Sequence, residues 1–187
     1  MSISVPTLHT DRLRLRPFTD TDAELLFALH ESVNVLRYWD SPPWSDPKRA
    51  GRFIAACRTL AEEGSGVRLA IDREPDGTFI GWCGLSQWNR DFRSASLTYI
   101  LAEEAWGHGF ATEAARALLR WAFDALDLNR VKAETDTRNE ASGRVLEKLG
   151  FVREGMLRED CIVAGEVSDS FAYGLLRRDW EPALDDE

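Results

Sequence analysis

The sequence contains few cysteines, no long hydrophobic run and no excess of basic residues. Its three cysteines, Cys57, Cys83 and Cys161, are odd in number and far apart in a chain of 187 residues, so they predict neither a disulfide framework nor a metal site. No run reaches the length of a membrane span, and the N-terminus lacks the basic and apolar regions of a signal peptide. We therefore expect reduced, mostly buried thiols, no metal, no membrane partner and a cytoplasmic location.

Positive charge is also scarce. There are 23 Lys and Arg residues against 32 Asp and Glu, which gives a formal net charge of −9. A general nucleic-acid-binding protein needs a basic face, so no nucleic-acid partner is expected. The acidic balance favours a cationic substrate such as an amine, although solubility alone accounts for it equally well. Hydrophobic residues make up 44% of the chain, which predicts one globular domain over 1–187 with a frayed tail at about 181–187.

A glycine-flanked turn in the second half of the chain is the most informative segment. An extended apolar stretch ends near Leu101, Gly107 and Gly109 follow, and an amphipathic helix begins directly after them. Glycine allows the backbone to approach a ligand closely, and a helix start offers unpaired N–H groups with a partial positive charge, so this turn predicts a phosphate pocket. It is not a P-loop, because no Lys-Ser/Thr pair follows the glycines, and Thr112 stands where a dinucleotide fingerprint needs its third glycine.

The order of the predicted elements indicates the fold class. The pattern reads as a strand, two helices, three strands, a helix, a strand, a helix and one or two final strands, with a turn at Ala164-Gly165. Thr21 and Glu24 predict a capping box ahead of the first helix. A strand meander followed by βαβ units predicts an α/β (α+β) protein with a mixed sheet covered by helices.

Two stretches resemble the GNAT superfamily of N-acetyltransferases. The segment 106–114 is similar to the family's acetyl-CoA loop, Gln/Arg-x-x-Gly-x-Gly/Ala, with Gly109 and Ala111 at the small positions. Trp106 replaces the Gln or Arg, as is typical of the RimJ/RimL-like branch that resembles the ribosomal-protein N-terminal acetyltransferases. The segment 139–151 resembles the family's Asn-x-x-Ser-x-x-x-Leu-x-Lys-Leu-Gly-Phe motif, beginning with Asn139 and Ser142.

The resemblance implies a fold and a co-substrate. The fold is that of the acyl-CoA N-acyltransferases, a mixed, mostly antiparallel central sheet with splayed strands, flanked by helices. The two motifs lie about thirty residues apart, each after a strand, and a parallel strand pair would bring both helix starts to one edge of the sheet. A long, phosphate-ended thioester, acetyl-CoA, is expected there.

The resemblance also assigns cofactor-binding residues. Backbone groups of the strand are expected to pair with pantetheine, backbone N–H groups of the turn with the pyrophosphate, and the second motif with the pantetheine arm. His108 either adds charge to the phosphates or points to water, and Asn139 is also a good helix cap. The cofactor-binding set is Ile100, Leu101, His108, Gly109, Phe110, Ala111, Thr112, Asn139 and Ser142.

The implied reaction is direct transfer of the acetyl group from acetyl-CoA to a primary amine in a ternary complex. The amine must be neutral to attack, and a backbone N–H near Leu101 can stabilise the oxyanion that forms. Ser142 and Tyr99 are the catalytic candidates. Relatives often carry a Glu where this chain has Ser96, so the general base is open. Other base candidates, each also explicable as structural, are Glu134, Glu154, Asp169 and Tyr173; we favour a water relay in which Ser142 assists the thiol.

The acceptor is not specified by the sequence. Trp39 and Trp44 flank a proline pair in the region that closes the acceptor pocket in relatives, and they either form an aromatic lip or pack in the core. A small-molecule or peptide amine is expected: a protein N-terminus, an amino acid, a polyamine or an antibiotic amine. The alternative is a catalytically silent CoA-binding sensor, and a homodimer is possible.

Overall fold

Residues 2–180 are described by this computed structural model, so the tail expected at 181–187 lies outside the described residues. One sheet has the strand order β1-β2-β3-β4-β5-β6-β8-β7. Its strands are β1 (Leu8–His9), β2 (Leu13–Pro17), β3 (Val67–Arg73), β4 (Thr78–Asn89), β5 (Ser94–Leu101), β6 (Arg130–Asp136), β7 (Val152–Val163) and β8 (Glu166–Leu176). The helices are α1 (Ala23–Glu31), α2 (Lys48–Glu62), α3 (Phe110–Ala125), α4 (Glu140–Lys148) and α5 (Arg177–Trp180).

The pairing of β5 with β6 is the point where the sheet opens. All other neighbouring strands pair antiparallel, whereas β5 and β6 run parallel and pair only from Ser94↔Arg130 to Ser96↔Lys132. Beyond Ser96 the two strands diverge, so the sheet is mostly antiparallel with a splayed centre, as expected. The diverging ends carry the turn before α3 and the start of α4 to the same edge of the sheet.

Helices cover both faces of the sheet. On one face α3 buries a stripe that includes Ala114, Leu118 and Ala122 against the sheet, because these residues recur every three to four positions along the helix. On the other face α1 and α2 pack against Trp82 and Ile100. The two faces of the sheet therefore carry two separate clusters of buried hydrophobic residues. No helix within residues 2–180 is long and apolar enough to cross a membrane.

The capping box lies two residues earlier than predicted, on the turn of 3-10 helix that precedes α1. Thr19 and Asp22, not Thr21 and Glu24, form it: the backbone N–H of Thr19 donates to Oδ2 of Asp22 at 2.7 Å. A single turn of 3-10 helix at Asp20–Asp22 precedes α1, and Arg16 pairs with the Asp22 carboxylate at 2.8 Å. This ion pair holds Asp22 in the box, and no sequence spacing indicates it.

The second helix start and the final strands agree with expectation. Oδ1 of Asn139 accepts the N–H of Ser142 at 3.1 Å, so Asn139 caps α4. Two final strands, β7 and β8, form a hairpin around Ala164 and Gly165, both of which have positive φ.

Candidate active site

Two cavities meet where β5 and β6 diverge. The larger, about 520 Å³, lies between the end of β5, the start of α3 and α4. The smaller, about 310 Å³, extends along β6 toward the β7–β8 hairpin. The residues that line both are Tyr38, Trp39, Tyr99, Asn139 and Ser142. Two ligands that enter from different sides would therefore meet at Tyr99, Asn139 and Ser142.

The start of α3 provides an anion-binding surface in the larger cavity. Gly109 is the N-cap with φ of 81°, a left-handed conformation that favours glycine. The first intrahelical hydrogen bond runs from the N–H of Glu113 to the carbonyl of Gly109, so the N–H groups of Phe110, Ala111 and Thr112 have no partner within the helix. These N–H groups and the helix dipole suit phosphate oxygens.

Basic side chains line the same cavity. Arg37, Arg144 and Lys148 lie around it, and only Arg144 has an ion pair among the described residues, an exposed one with Glu140 at 3.2 Å. Positive charge beside a helix N-terminus is complementary to a ligand with several phosphates. The donor set and the volume of this cavity therefore fit a phosphate-ended chain such as CoA.

The register of β5 determines which backbone groups face the opening. The N–H of Ala102 donates to the carbonyl of Ile80 at 2.9 Å, so alternate residues from Ala102 backward direct their backbone groups toward β4. Ile100 belongs to that set, whereas Tyr99 and Leu101 direct theirs toward the gap beside β6. This register disagrees with the expected backbone role of Ile100, because its N–H and C=O face β4, although Ile100 still lines the larger cavity.

Trp106 has a role at this edge that sequence reasoning missed. Its indole Nε1 donates to the carbonyl of Leu101 at 2.9 Å, and its ring, 48% exposed, lines the larger cavity. The bond orients the last peptide of β5 at the gap. Trp106 in place of the family's Gln or Arg marks this position as unusual, but the sequence does not predict that the indole bonds to Leu101.

Tyr99 and Ser142 are in direct contact. The phenolic oxygen of Tyr99 lies 2.8 Å from Oγ of Ser142 and 3.2 Å from the Ser142 carbonyl oxygen. Burial raises the pKa of Tyr99 to about 12, and the hydrogen bond with Ser142 opposes part of that rise. The phenol therefore keeps its proton at neutral pH and can donate it.

Three of the expected base candidates lie away from the cavities. Glu154 pairs with Arg130, Asp169 accepts the N–H of Glu159 at 2.8 Å, and Tyr173 is 3% exposed within the core. None of the three lines either cavity. Glu134, the remaining candidate, lines the smaller one.

The positions of the His108 and Trp44 side chains decide between the alternatives that the sequence left open for them. The His108 side chain does not line the larger cavity; its ring lies 5.7 Å from that of Phe110. Trp44 is 6% exposed and stacks on His30 with ring centroids 4.1 Å apart. Trp44 is therefore a core residue and not part of a lip, whereas Trp39 lines both cavities.

An ion pair that holds the phosphate turn was also missed. Nε of Arg12 donates to Glu113 at 2.7 Å, and Nη1 donates to the His108 carbonyl at 3.1 Å. The Arg12 guanidinium also lies 4.7 Å from the Phe110 ring centroid. Arg12 thus ties the start of β2 to both sides of the turn before α3, although 96 residues separate it from His108.

A splayed sheet, an anion-binding helix start and a second cavity at the splay define an acyl-CoA-dependent transferase. A family model described as acetyltransferase (GNAT) domain matches residues 12–152. The N-acetyltransferase YoaA of Bacillus subtilis (strain 168), itself uncharacterised, is 36% identical over 92% of this chain and 97% of its own length. Spermidine N(1)-acetyltransferase of Escherichia coli (strain K12) is 27% identical over 87% of this chain and 83% of its own.

Solved structures share the fold. A protein named Probable acetyltransferase has a TM-score of 0.84 at 30% identity and covers 94% of this chain and 99% of its own. RimL, a ribosomal L7/L12 α-N-protein acetyltransferase solved with CoA, has a TM-score of 0.83 at 18% identity over 91% of this chain and 98% of its own. This chain belongs to the GNAT acetyltransferase family. It is an N-acetyltransferase, and acetyl-CoA is its co-substrate.

Proposed function

We propose that the larger cavity binds acetyl-CoA, that the smaller cavity binds a primary amine, and that acetyl transfer takes place at Tyr99 and Ser142. The observation that carries this proposal is the meeting of the two cavities at the Tyr99–Ser142 hydrogen bond. When both reactants are bound next to each other, the reaction no longer has the entropic cost of bringing them together from solution.

Different residues of the larger cavity are proposed to bind different parts of acetyl-CoA. The N–H groups of Gly109, Phe110, Ala111 and Thr112 are proposed to hold the pyrophosphate, with Arg144 and Lys148 contributing positive charge. In this proposal the His108 imidazole points away from the phosphates.

The pantetheine arm is proposed to lie along the exposed edge of β5. Tyr99 and Leu101 direct backbone groups toward it, and Asn139 is close enough to the same gap to add its amide. Asn139 can perform this role and cap α4 together, because one amide has both a donor and an acceptor.

Acetyl-CoA supplies an activated acetyl group, and the protein supplies the hydrogen-bond donors that stabilise the developing charge and protonate the leaving sulfur. The Leu101 N–H faces the gap and is proposed to stabilise negative charge on the acetyl oxygen during attack. The protonated phenol of Tyr99 donates to Ser142, whose hydroxyl in turn donates toward the leaving sulfur. The amine arrives neutral or loses its proton to water.

Two broader properties belong to the proposal. A homodimer is supported by large apolar side chains exposed on the β7–β8 hairpin, namely Val152, Met156, Ile162 and Val167, which are 51–62% exposed. A cytoplasmic location is supported by three free cysteines, two of them buried.

The test is release of CoA thiol from acetyl-CoA in the presence of a panel of primary amines, together with calorimetric binding of acetyl-CoA. Binding with amine-dependent release supports the proposal. Binding without release for every amine supports a CoA-binding sensor, and no binding contradicts the assignment of the larger cavity.

A further inference from the structure

The smaller cavity has an acidic wall built from three separate parts of the chain. Its charged lining consists of Asp40 from the segment between α1 and α2, Glu134 and Asp136 from β6, and Asp160 from β7. Among the described residues that line it, none is a Lys, Arg or His. The cavity is continuous with the cofactor cavity at Tyr99 and Ser142, so this wall faces the bound acceptor.

One of these four carboxylates is already neutralised by neighbouring side chains. Asp136 is 5% exposed and accepts hydrogen bonds from Nε of Arg138 at 2.9 Å and from Oγ of Ser168 at 2.6 Å. The hydrogen bonds with Arg138 lower its pKa to about 2. Asp136 is therefore part of the framework of the cavity, and its charge is not available to a ligand.

The other three carboxylates have no such partner. Within residues 2–180, no ion pair or hydrogen bond joins the side chain of Asp40, Glu134 or Asp160 to another group. The guanidinium of Arg138, two residues after Asp136, pairs with Asp136 and Glu166. Negative charge therefore faces the cavity without compensation from the protein.

This charge is not explained by the amine that reacts. The attacking amine must lose its proton, and nearby carboxylates oppose that loss because they favour the ammonium form. Unpaired carboxylates on β6 and β7 suit instead a positive group on the acceptor that stays charged while the other end reacts.

Resting on the proposed function, we infer that the acceptor is a diamine or longer polyamine, and that Glu134 and Asp160 bind its second ammonium group. Glu134 lies on β6 and Asp160 on the neighbouring hairpin, so the two approach that group from different elements of the cavity. They determine specificity, and they disfavour acceptors whose far end is neutral or carries a carboxylate.

The experiment compares three four-carbon acceptors that differ at the far end, together with one peptide. Thiol release from acetyl-CoA is measured with 1,4-diaminobutane, butylamine, 4-aminobutanoate and a short neutral peptide amide with a free N-terminus. We expect kcat/KM for the diamine to exceed that for butylamine by about tenfold, with the amino acid lowest. The preference should shrink as salt is added, because these carboxylates are exposed and their interactions are screened.

Variants of Glu134 and Asp160 test whether these two residues cause the preference for a diamine. Glu134→Gln and Asp160→Asn each reduce the ratio of diamine to monoamine kcat/KM, and the double variant brings it close to one. Asp124→Asn removes an exposed carboxylate on α3 that lines neither cavity, and it should leave the ratio unchanged.

Three outcomes overturn the inference. Equal kcat/KM for diamine and monoamine, or a higher value for the peptide amide, contradicts it while the proposed acetyl transfer stands. A diamine preference that survives the double variant contradicts the assignment to Glu134 and Asp160. Absence of thiol release with all four acceptors contradicts the proposed function and this inference together.

Discussion

The phenolic oxygen of Tyr99 and Oγ of Ser142 lie 2.8 Å apart, and their hydrogen bond joins β5 to the first turn of α4 across the gap in the sheet. Both residues line both cavities. The pair is thus the point at which we propose that the co-substrate and the acceptor are brought together.

Removal of either hydroxyl should slow turnover with little effect on acetyl-CoA binding. We expect Tyr99→Phe and Ser142→Ala each to lower kcat by about a hundredfold, because the leaving thiolate loses its proton donor. The double variant should be no slower than the slower single variant, since the two hydroxyls act as one relay. Steady-state kinetics checks this, and an unchanged kcat in Ser142→Ala removes Ser142 from the mechanism.

Gly109→Asp should abolish tight acetyl-CoA binding. The substitution places a side chain and a negative charge at the start of α3, where the proposal puts the pyrophosphate. Gly77→Asp is the matched control, because Gly77 also has positive φ but lies in a turn remote from both cavities. Calorimetry should show a Kd at least about a hundredfold higher for Gly109→Asp alone; equal affinity in both variants contradicts the placement of the phosphate turn.

Asn139 should contribute to stability and to cofactor use separately. Asn139→Ala removes the cap of α4 and should lower the free energy of unfolding by about 1 kcal/mol, as measured by urea denaturation. Asn139→Ser keeps a capping oxygen and should regain most of that stability while the KM for acetyl-CoA stays raised. If both variants keep the wild-type KM, Asn139 is a structural cap only.

Arg12 should support cofactor affinity without contacting the cofactor. Arg12→Ala removes the hydrogen bonds to Glu113 and His108, which leaves the turn before α3 less ordered, and we expect the KM for acetyl-CoA to rise several-fold with kcat retained. Arg58→Ala, which breaks an exposed ion pair with Asp20, is the control and should change neither constant. A wild-type KM in Arg12→Ala would show that the turn holds its shape without this residue.

The buried His30 should make stability fall as the pH falls from about 6.5 toward 4. Burial, with the nearby charge of Arg49 and Arg68, lowers the pKa of His30 to about 4, and its Nε2 accepts the Trp82 indole N–H at 3.0 Å. Above pH 6.5 the side chain is neutral in both states, whereas below it the unfolded chain binds a proton that the folded chain does not. The loss should approach about 3 kcal/mol near pH 4.

The His30 prediction can be checked above the pH range in which carboxylates titrate. Urea denaturation of the wild type at pH 7 and pH 5 should show a decrease in the free energy of unfolding. His30→Gln keeps an acceptor for Trp82 but cannot titrate, so its decrease should be smaller. Equal slopes for the two proteins in this interval would contradict the role of His30.

The parts of the site that the sequence predicted are local. Gly109 and the helix after it, and Asn139 with Ser142 three residues on, are encoded in short segments whose backbone geometry follows from the residues themselves. The parallel alignment that brings these segments together followed from a strand preceding each helix.

The parts that were missed depend on contacts between distant segments or on the sheet register. Arg12 reaches Glu113 across 101 positions, and the capping box at Thr19 depends on the ion pair of Arg16 with Asp22. The backbone direction of Ile100 follows from its register with β4, which periodicity alone does not fix. The acidic wall of the smaller cavity likewise joins three elements that no sequence motif connects.

Thiol release from acetyl-CoA with a diamine acceptor, measured for the wild type and for Tyr99→Phe beside calorimetric binding of acetyl-CoA to both, tests the central claim most directly. We predict amine-dependent release by the wild type and much slower release by the variant, with similar affinity for acetyl-CoA. Binding without release by the wild type, or wild-type turnover in the variant, would contradict acetyl transfer at the Tyr99–Ser142 pair.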